Sequence, residues 1–385
     1  MTNHVFIVDD NTFPIHLKYM FAGTGSKENT CEFMYDNDED IHNKTESVLV
    51  GMLADISRIR KGDKILFYLQ QKSGREGMFF GSFKVKEEPF ICDGKYLKDK
   101  LKKVLTFRVL IEPDEDGVYK YGATERECLD SLKDIERPYE MCWSLIYRKL
   151  KGNRGCTMII DKEFDYIMKK IRNVENNELL KCQNLTYNEQ KNAIEKYNYN
   201  YKYNNKGNNK KISIIERLVD KIKKGNAYEI HLQAYLAKNI DSIIGKKEDE
   251  PKITWIGNEV SCGVGMQSID LCFFQETDKK LIITACELKC KKIDQFIEKQ
   301  IGKYIDWLVD YIAPLYKNSK KVIIIPTIIA PEPEDAELKI FNNIRRNKLC
   351  ECNNIEVCEI RYISFKICDD KLVFEEVELN EETYI

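Results

Sequence analysis

Residues 267–289 read QSIDLCFFQETDKKLIITACELK, two apolar runs separated by a short polar segment. Residues 268–274 and 281–289 have the length and the β-branched and aromatic content of strands, whereas residues 275–280 have the composition of a turn. The pattern predicts a β-hairpin, and this hairpin decides how the C-terminal half of the chain is interpreted.

The register of this hairpin determines which side chains meet. With the turn centred on residues 277–278, Asp270 is expected opposite Ala285 and diagonal to Glu287, a neighbour roughly 7–8 Å away. Glu287 and Lys289 are two residues apart on one strand and therefore share a face with Asp270. A slip of one residue would move Asp270 to the other face of the hairpin.

Two carboxylates and a lysine on one face are suited to metal-dependent phosphodiester hydrolysis. Mg²⁺ prefers carboxylate, carbonyl, water and phosphate oxygens, so Asp270 and Glu287 are candidate ligands, with the Leu288 carbonyl as a third. Lys289 is expected to orient the attacking water or to stabilise developing charge. Charged residues make up 32% of the chain, so the bare spacing arises by chance in many proteins. However, Glu287 is the only charge in residues 281–288, and a carboxylate in a buried strand must be paired or metal-bound.

These residues resemble the core of the PD-(D/E)XK nuclease superfamily. Asp270 on one strand, residues 287–289 on the next, and Gln300 and Tyr304 on a predicted helix follow the order of that core. The resemblance implies that Gln300 points at the active site or at the DNA backbone, whereas Tyr304 is expected to pack. Its elements are similar to those of mismatch endonucleases and of restriction enzymes.

The resemblance covers residues 213–370. A predicted helix at residues 228–240 is similar to the opening helix of the nuclease core, whose glutamate faces the metal, and Glu229 occupies the matching position. The chain departs from the family pattern at Ile269, where proline often precedes the first aspartate.

Three further segments complete an α/β core, a mixed sheet flanked by helices. Residues 321–330 and 355–365 are predicted strands, and residues 335–347 are a predicted helix.

Composition limits the other function classes. A chain of 385 residues predicts two or three domains, and a net charge of −2 means that any nucleic-acid surface is a local basic patch. There is no apolar run of about eighteen residues, so a soluble, cytoplasmic protein without membrane contact is expected. The four histidines are scattered, and the fourteen cysteines are expected to be reduced thiols rather than a zinc or iron–sulfur site.

Residues 166–212 are expected to connect two domains, at 1–165 and 213–385. The stretch from residue 173 to 211 is rich in Lys, Asn and Tyr and poor in other apolar residues. Its composition favours a solvated linker, and the alternative is a segment that stacks on nucleic acid.

The N-terminal domain is predicted to be a compact α/β or barrel arrangement with strands at residues 4–8, 64–70, 77–85 and 105–111. Its Lys61-Gly62-Asp63 turn before a strand, with Gly81 in the next strand, resembles the PUA-like group that includes EVE, ASCH and YTH domains. The resemblance implies a β-barrel whose aromatic pocket accepts a flipped or modified base.

A basic loop near the end of this domain is the candidate nucleic-acid surface. Four positive charges within seven residues lie next to two aromatic side chains, a combination suited to phosphate neutralisation and base stacking. These residues are Trp143, Tyr147, Arg148, Lys149, Lys151 and Arg154. Trp143, Phe13 and Tyr19 are candidates for the base pocket, with burial in a core as the alternative for each.

The two halves together predict a Mg²⁺-dependent endonuclease of the type II restriction class. The N-terminal module would recognise double-stranded DNA, at a specific site or at a modified or flipped base, and the C-terminal module would cut it. Cutting both strands with one site per chain favours a homodimer. The alternatives are a mismatch- or structure-specific repair nuclease and a non-catalytic reader of modified bases.

Overall fold

The computed structural model describes residues 1–25, 43–92, 96–115, 117–129, 135–142, 155–204, 209–244, 251–262, 267–291, 293, 296–334, 350–352 and 354–377. The chain divides into two compact units, the first formed by Met1–Glu136 and Met141–Ile212 and the second by Arg137–Glu140 and Ser213–Ile385. Both units combine helices with sheets, so the fold is mixed α/β.

The first unit contains five helices and thirteen strands among its described residues. The helices are α1 (Phe13–Tyr19), α2 (Asn43–Ser57), α3 (Lys98–Leu101), α4 (Glu125–Leu129) and α5 (Asp161–Arg172). The strands are β1 (Asn3–Val8), β2 (Phe21–Thr24), β3 (Lys64–Leu69), β4 (Met78–Val85), β5 (Phe90–Ile91), β6 (Phe107–Pro113), β7 (Val118–Tyr119), β8 (Ala123–Thr124), β9 (Cys156–Ile159), β10 (Leu179–Leu180), β11 (Leu185–Asn188), β12 (Ala193–Lys196) and β13 (Lys210–Lys211).

Nine of these strands form one sheet with the order β13-β5-β6-β4-β3-β1-β9, and β2 and β8 pair with β6 and β4. The β1–β3 pair is parallel, and the other pairs are antiparallel. Within the described ranges this path does not return to its own start, so the expected closed barrel is not observed there.

The turn before β3 follows the sequence expectation. Gly62 has φ +96°, a left-handed conformation that glycine adopts without steric cost. The next residue, Asp63, accepts a hydrogen bond from the N–H of Thr2 at 3.0 Å and so fixes the entry into the strand. Gly81 lies opposite Leu66, where a Cβ atom would come within 2.5 Å of the Leu66 side chain. A larger residue at this position would have to displace the Leu66 side chain.

The segment expected to be a polar connector, residues 166–212, instead belongs to the first unit, and parts of its described residues pack there. Helix α5 buries Ile167 and Ile171, and the antiparallel β11–β12 hairpin buries Leu185 and Tyr187. Despite its polar composition, the segment contains two short apolar patterns. One has helical spacing and lies in α5, and the other has strand alternation and lies in the β11–β12 hairpin. These few apolar side chains are enough to bury the segment's inner face.

The second unit contains three helices and eight strands among its described residues. The helices are α6 (Ile215–Lys223), α7 (Glu229–Ile243) and α8 (Phe296–Trp307), and α8 continues into a π-helical turn at Leu308–Ile312 and a 3₁₀ turn at Ala313–Leu315. The strands are β14 (Ile253–Ser261), β15 (Ser268–Glu276), β16 (Lys280–Leu288), β17 (Lys321–Pro331), β18 (Cys350–Cys352), β19 (Ile355–Val357), β20 (Arg361–Cys368) and β21 (Lys371–Glu376).

These eight strands form one mixed sheet with β17 at its centre. Strands β14, β15 and β16 are consecutive antiparallel neighbours, and β16 runs parallel to β17 over its whole length. The first half of β17 pairs with β19 and the second half with β20. The single strand predicted at residues 355–365 is therefore two strands, and the helix predicted at residues 335–347 lies outside the described residues.

Alternation along β15 and β16 separates the core face from the site face. Leu271 and Cys286 point to one face, where they pack with Leu232 and Leu236 of α7. Asp270, as the neighbour of Leu271, belongs to the opposite face. The hydrophobic side of the hairpin thus fixes the direction of its polar side chains.

Candidate active site

The predicted β15–β16 hairpin is confirmed, with a register two residues away from the expected one. The backbone pairing ends with Leu271 opposite Cys286. Extending it by one residue brings Asp270 opposite Glu287, whereas the expected partner of Asp270 was Ala285. Because side chains alternate with a period of two, a two-residue shift leaves Asp270 and Glu287 on the same face and makes them direct neighbours.

The turn itself explains this shift. The N–H of Thr277 donates to the carbonyl of Lys280 at 2.9 Å, and the N–H of Lys280 donates to Oγ1 of Thr277 at 3.0 Å. The turn is therefore centred between Asp278 and Lys279, one residue later than expected. A displacement of the turn by one residue moves the register by two.

Asp270 is half-buried at the point where the β15–β16 ladder ends. Its Oδ2 accepts a hydrogen bond from the N–H of Leu288 at 2.8 Å, and its carbonyl accepts one from the Gln233 side chain at 2.9 Å. Burial, followed by repulsion from Glu287, raises the pKa of the Asp270 carboxyl well above its ordinary value. A carboxylate at this position is stabilised by a neighbouring cation.

Glu287 is 2% exposed and both of its oxygens have partners. Oε1 pairs with the ammonium of Lys289 at 2.6 Å, and Oε2 accepts a hydrogen bond from the hydroxyl of Tyr304 at 2.7 Å. The side-chain amide of Gln300 donates to that hydroxyl at 2.8 Å. Tyr304, expected only to pack, is therefore a direct partner of Glu287, and Gln300 reaches the site through it.

Tyr304 has a contact that its sequence context did not predict. Its ring lies on the buried side of α8, as expected for a packing residue, but its hydroxyl lies at the end of β16. Burial and the charge of Glu287 raise the pKa of the Tyr304 hydroxyl, so it remains a donor at neutral pH. The available signal was its spacing of four residues from Gln300, which places both on one side of a helix.

Lys289 and Glu229 complete the charged cluster. Burial alone would lower the pKa of the Lys289 ammonium, but its contacts with Glu287 raise the pKa overall. Glu229 is the exposed first residue of α7, and its Oε2 lies 3.6 Å from the Cys290 thiol. Although the residue as a whole is exposed, partial burial of its carboxyl group raises the pKa of Glu229, and the charge of Glu287 adds to this. The helix thus directs its first carboxylate toward the ends of β15 and β16.

The donor set has the chemistry that Mg²⁺ prefers. The charge of Glu287 raises the pKa of both Asp270 and Glu229, and one ammonium, that of Lys289, opposes these three carboxylates. Such an excess of negative charge favours a bound cation, and carboxylate oxygens are hard ligands. Within the described ranges, no group of three or more His, Cys, Asp or Glu side chains is arranged to hold a metal ion. The role expected for the Leu288 carbonyl stays a prediction.

The expected nucleic-acid surface of the first unit falls at residues 143–154, outside the described residues. Of the other pocket candidates, Phe13 is fully buried, and its ring centroid lies 5.4 Å from that of Phe67 and 5.3 Å from that of Phe80. Phe13 is therefore a core residue. Tyr19 is 8% exposed and lines a groove of about 460 Å³.

Two further findings bear on the class of protein. In the part of the chain that the structure covers, no helix is both long enough and apolar enough to cross a membrane. No protein-family model matches the chain, and a search of curated proteins finds no related sequence.

Proposed function

We propose that the protein is a Mg²⁺-dependent DNA endonuclease of restriction type, with the second unit as its catalytic module. The observation that carries this proposal is the placement of Asp270 and Glu287 side by side at the ends of two adjacent strands, with Lys289 in contact with Glu287. Metal-dependent phosphodiester hydrolysis uses a cation, an activated water and a positive charge near the phosphate. The residues of this site are suited to all three.

Asp270 and Glu287 would hold the metal, and Glu229 would add negative charge beside them. The raised pKa of Asp270 indicates that its ionised form is short of positive charge, which favours the binding of a divalent cation. The chemistry supplied by bound Mg²⁺ is polarisation of the phosphate and a lower pKa of a coordinated water.

Lys289 acts through its charge rather than as a base. Its pKa is raised by Glu287, so the side chain is an ammonium at neutral pH. It can donate hydrogen bonds to a non-bridging phosphate oxygen or to the attacking water. Removal of Lys289 would therefore reduce the stabilisation of charge that develops in the transition state.

Gln300 and Tyr304 position Glu287 rather than contact the reacting atoms. The hydroxyl of Tyr304 fixes one oxygen of Glu287, and the amide of Gln300 fixes that hydroxyl. A carboxylate held in this way loses little rotamer freedom when a cation binds. This arrangement supports a site that is formed before the substrate arrives.

We propose the first unit as a PUA-like module that recognises a site or a modified base in double-stranded DNA. Its support is the Lys61-Gly62-Asp63 turn with the glycine in its left-handed conformation, and the close approach at Gly81. A homodimer would supply two catalytic sites related by twofold symmetry, as needed to cut both strands. Multi-angle light scattering of the purified protein would test this assembly.

The proposed activity is tested by incubating the protein with Mg²⁺ and two phage DNAs, one unmodified and one carrying modified cytosine. Discrete fragments on a gel are expected from the wild type and not from Glu287→Gln. The matched control is Glu276→Gln, which removes a carboxylate from the other end of β15, where it pairs with Lys320 at 2.5 Å.

Each outcome favours one function. Cleavage of only one of the two DNAs would define the modification dependence of a restriction enzyme. Cutting restricted to mismatched or branched DNA would favour a repair nuclease. Binding without cutting under Mg²⁺ and Mn²⁺ would favour a reader, and wild-type cutting by Glu287→Gln would contradict the site.

A further inference from the structure

A tyrosine-rich segment of the first unit forms a second feature of functional interest, separate from the carboxylate site. Residues 196–211 contain four tyrosines and five lysines and have no acidic residue. Residues 197–204 of this stretch, here called the tyrosine segment, have no regular secondary structure. Hydrogen bonds nevertheless fix the position of their backbone in the first unit.

Hydrogen bonds fix the tyrosine segment at both ends. At its start, the N–H of Tyr197 donates to the carbonyl of Asn184 at 2.8 Å, and at its end the N–H of Asn204 donates to the hydroxyl of Tyr96 at 3.0 Å. The hydroxyl of Tyr203 accepts a hydrogen bond from the guanidinium of Arg108 at 3.2 Å. The buried Arg108 thus anchors the segment to β6.

Between these anchors the segment presents aromatic rings to solvent. Tyr199 is 69% exposed and Tyr201 is 38% exposed. The ring of Tyr201 lies between that of Tyr19, with centroids 5.1 Å apart, and that of Tyr197, at 5.8 Å and an interplanar angle of 25°. The result is a row of neighbouring rings, of which Tyr199 and Tyr201 are the most exposed members.

A groove of about 460 Å³ runs beside this row. Tyr19 and Tyr201 line it together with three amide-bearing residues, Gln183, Asn200 and Asn204. Amide groups donate and accept hydrogen bonds, so they can pair with the polar edges of a base whose face is stacked on a ring.

The charges around the groove differ between its two sides. Glu87 and Glu112 lie on the side formed by the sheet, where Lys86 accompanies them, whereas the tyrosine segment contributes Lys202. The ammonium of Lys18 lies 4.6 Å from the centre of the Tyr197 ring, next to the same row. A polyanion is therefore favoured along the tyrosine segment and not across the sheet.

We infer that the tyrosine segment binds single-stranded nucleic acid. Unpaired bases stack on Tyr199 and Tyr201, and Lys202 and Lys18 lie near the phosphates, which is the combination used by proteins that bind single strands with little sequence preference. This contact for unpaired bases goes beyond the proposed cutting of duplex DNA and does not depend on it. A peptide is the other occupant that an aromatic groove could take, and the absence of acidic residues from residues 196–211 favours the nucleic acid.

The test is fluorescence anisotropy with the full-length protein, in EDTA so that cleavage cannot interfere. The probe is a labelled oligothymidylate of about 12 nucleotides, with an abasic oligomer of the same length as its counterpart. Tyr199→Ala and Tyr201→Ala are each expected to weaken binding by roughly 5- to 150-fold. Tyr201→Phe keeps the ring and is expected to bind within about twofold of the wild type.

Matched controls separate stacking from loss of structure. Tyr166→Ala removes a tyrosine elsewhere in the first unit, where Lys170 lies 5.3 Å from the ring centre, and is expected to leave binding unchanged. Lys202→Gln is expected to weaken binding and to reduce its salt dependence, in contrast to Lys191→Gln, since Lys191 already pairs with Glu195 at 2.7 Å. Thermal unfolding of each variant confirms that it is folded.

Equal affinity of the wild type for the oligothymidylate and the abasic oligomer would overturn the inference. So would unchanged binding by Tyr199→Ala and Tyr201→Ala, or binding of a proline-rich peptide in place of the oligonucleotide. Duplex cleavage is measured on the same preparations. If Tyr199→Ala and Tyr201→Ala lose single-strand binding but retain duplex cleavage, the inference is supported. If the wild type cuts duplex DNA but binds no oligothymidylate, the inference is overturned and the nuclease proposal is unaffected.

Discussion

The hydroxyl of Tyr304 lies 2.7 Å from Oε2 of Glu287 and 2.8 Å from the carbonyl of Ser268. One side chain of α8 therefore contacts the end of β16 and the start of β15, the two strands that carry the proposed metal ligands. The carboxylate of Glu287, which lies on β16, is therefore positioned by a side chain of α8.

Replacing Tyr304 by phenylalanine is expected to lower kcat by roughly 10- to 100-fold, as for other groups that orient a metal ligand. The ring still packs, so the melting temperature is expected to change little. The control is Tyr362→Phe, which removes a hydroxyl that donates to the Pro331 carbonyl at 2.8 Å in the same sheet. Equal kcat values for the two variants would contradict a positioning role for Tyr304.

Asp270→Asn is expected to stabilise the protein in EDTA at pH 8. Because burial and Glu287 raise the pKa of Asp270, the folded chain binds more protons than the unfolded chain above pH 3.8, and stability falls as the pH rises through that window. Asparagine removes this effect and can still accept the N–H of Leu288. A gain of about 1 kcal/mol corresponds to roughly 2–4 °C in Tm.

Differential scanning fluorimetry at several pH values checks this expectation. The gain should vanish below about pH 4, where Asp270 is protonated in both states. Asp278→Asn, in the exposed turn of the same hairpin, should leave Tm unchanged at every pH. Addition of Mg²⁺ should raise Tm for the wild type and not for Asp270→Asn.

Lys289→Gln is expected to reduce kcat by roughly 10²- to 10³-fold, the size of effect seen when one group that stabilises transition-state charge is removed. DNA binding in Ca²⁺ should persist, since the change removes a single charge. Lys320→Gln, which breaks the ion pair with Glu276 at the far end of the sheet, serves as the control. Steady-state cleavage assays would show whether only Lys289→Gln loses activity.

His16 should make the first unit sensitive to acid. Burial lowers the pKa of the His16 imidazole from 6.5 to about 3, and its Nδ1 lies 2.9 Å from the carbonyl of Phe21. Between these two pH values the unfolded chain binds the extra proton, so stability falls as the pH falls, by up to about 1.4 kcal/mol per pH unit. Urea unfolding of wild type and His16→Gln at pH 7 and pH 5 should show a smaller loss in the variant, and parallel curves would exclude His16 as the cause.

The catalytic hairpin was predictable because its signals are local. The alternation of apolar and polar residues and the β-branched content identified both strands. The two-residue period of side-chain direction along a strand was enough to place Asp270 and Glu287 on one face. The exact register was not predictable, because it depends on the hydrogen bonds of Thr277 with Lys280 in the turn. A turn of six polar residues offers several such arrangements.

Contacts between distant elements were less accessible to sequence reasoning. The hydrogen bond from Gln233 to the Asp270 carbonyl joins residues 37 positions apart, and no local sequence pattern predicts it. The same holds for Tyr304. Burial of its ring was expected, but the contact of its hydroxyl with Glu287 was not. The anchoring of the tyrosine segment was not predictable either, because tyrosines held by Arg108 and Asn184 have the composition of a linker.

The two anchors of the tyrosine segment also determine when its conformational entropy is lost. The backbone from Tyr197 to Asn204 becomes ordered as the first unit folds, so that cost belongs to the free energy of folding. A strand that stacks on these rings then has only its own freedom to lose, and association need not wait for a loop to close. Fast capture of single-stranded nucleic acid is the kinetic behaviour that such a preordered surface favours.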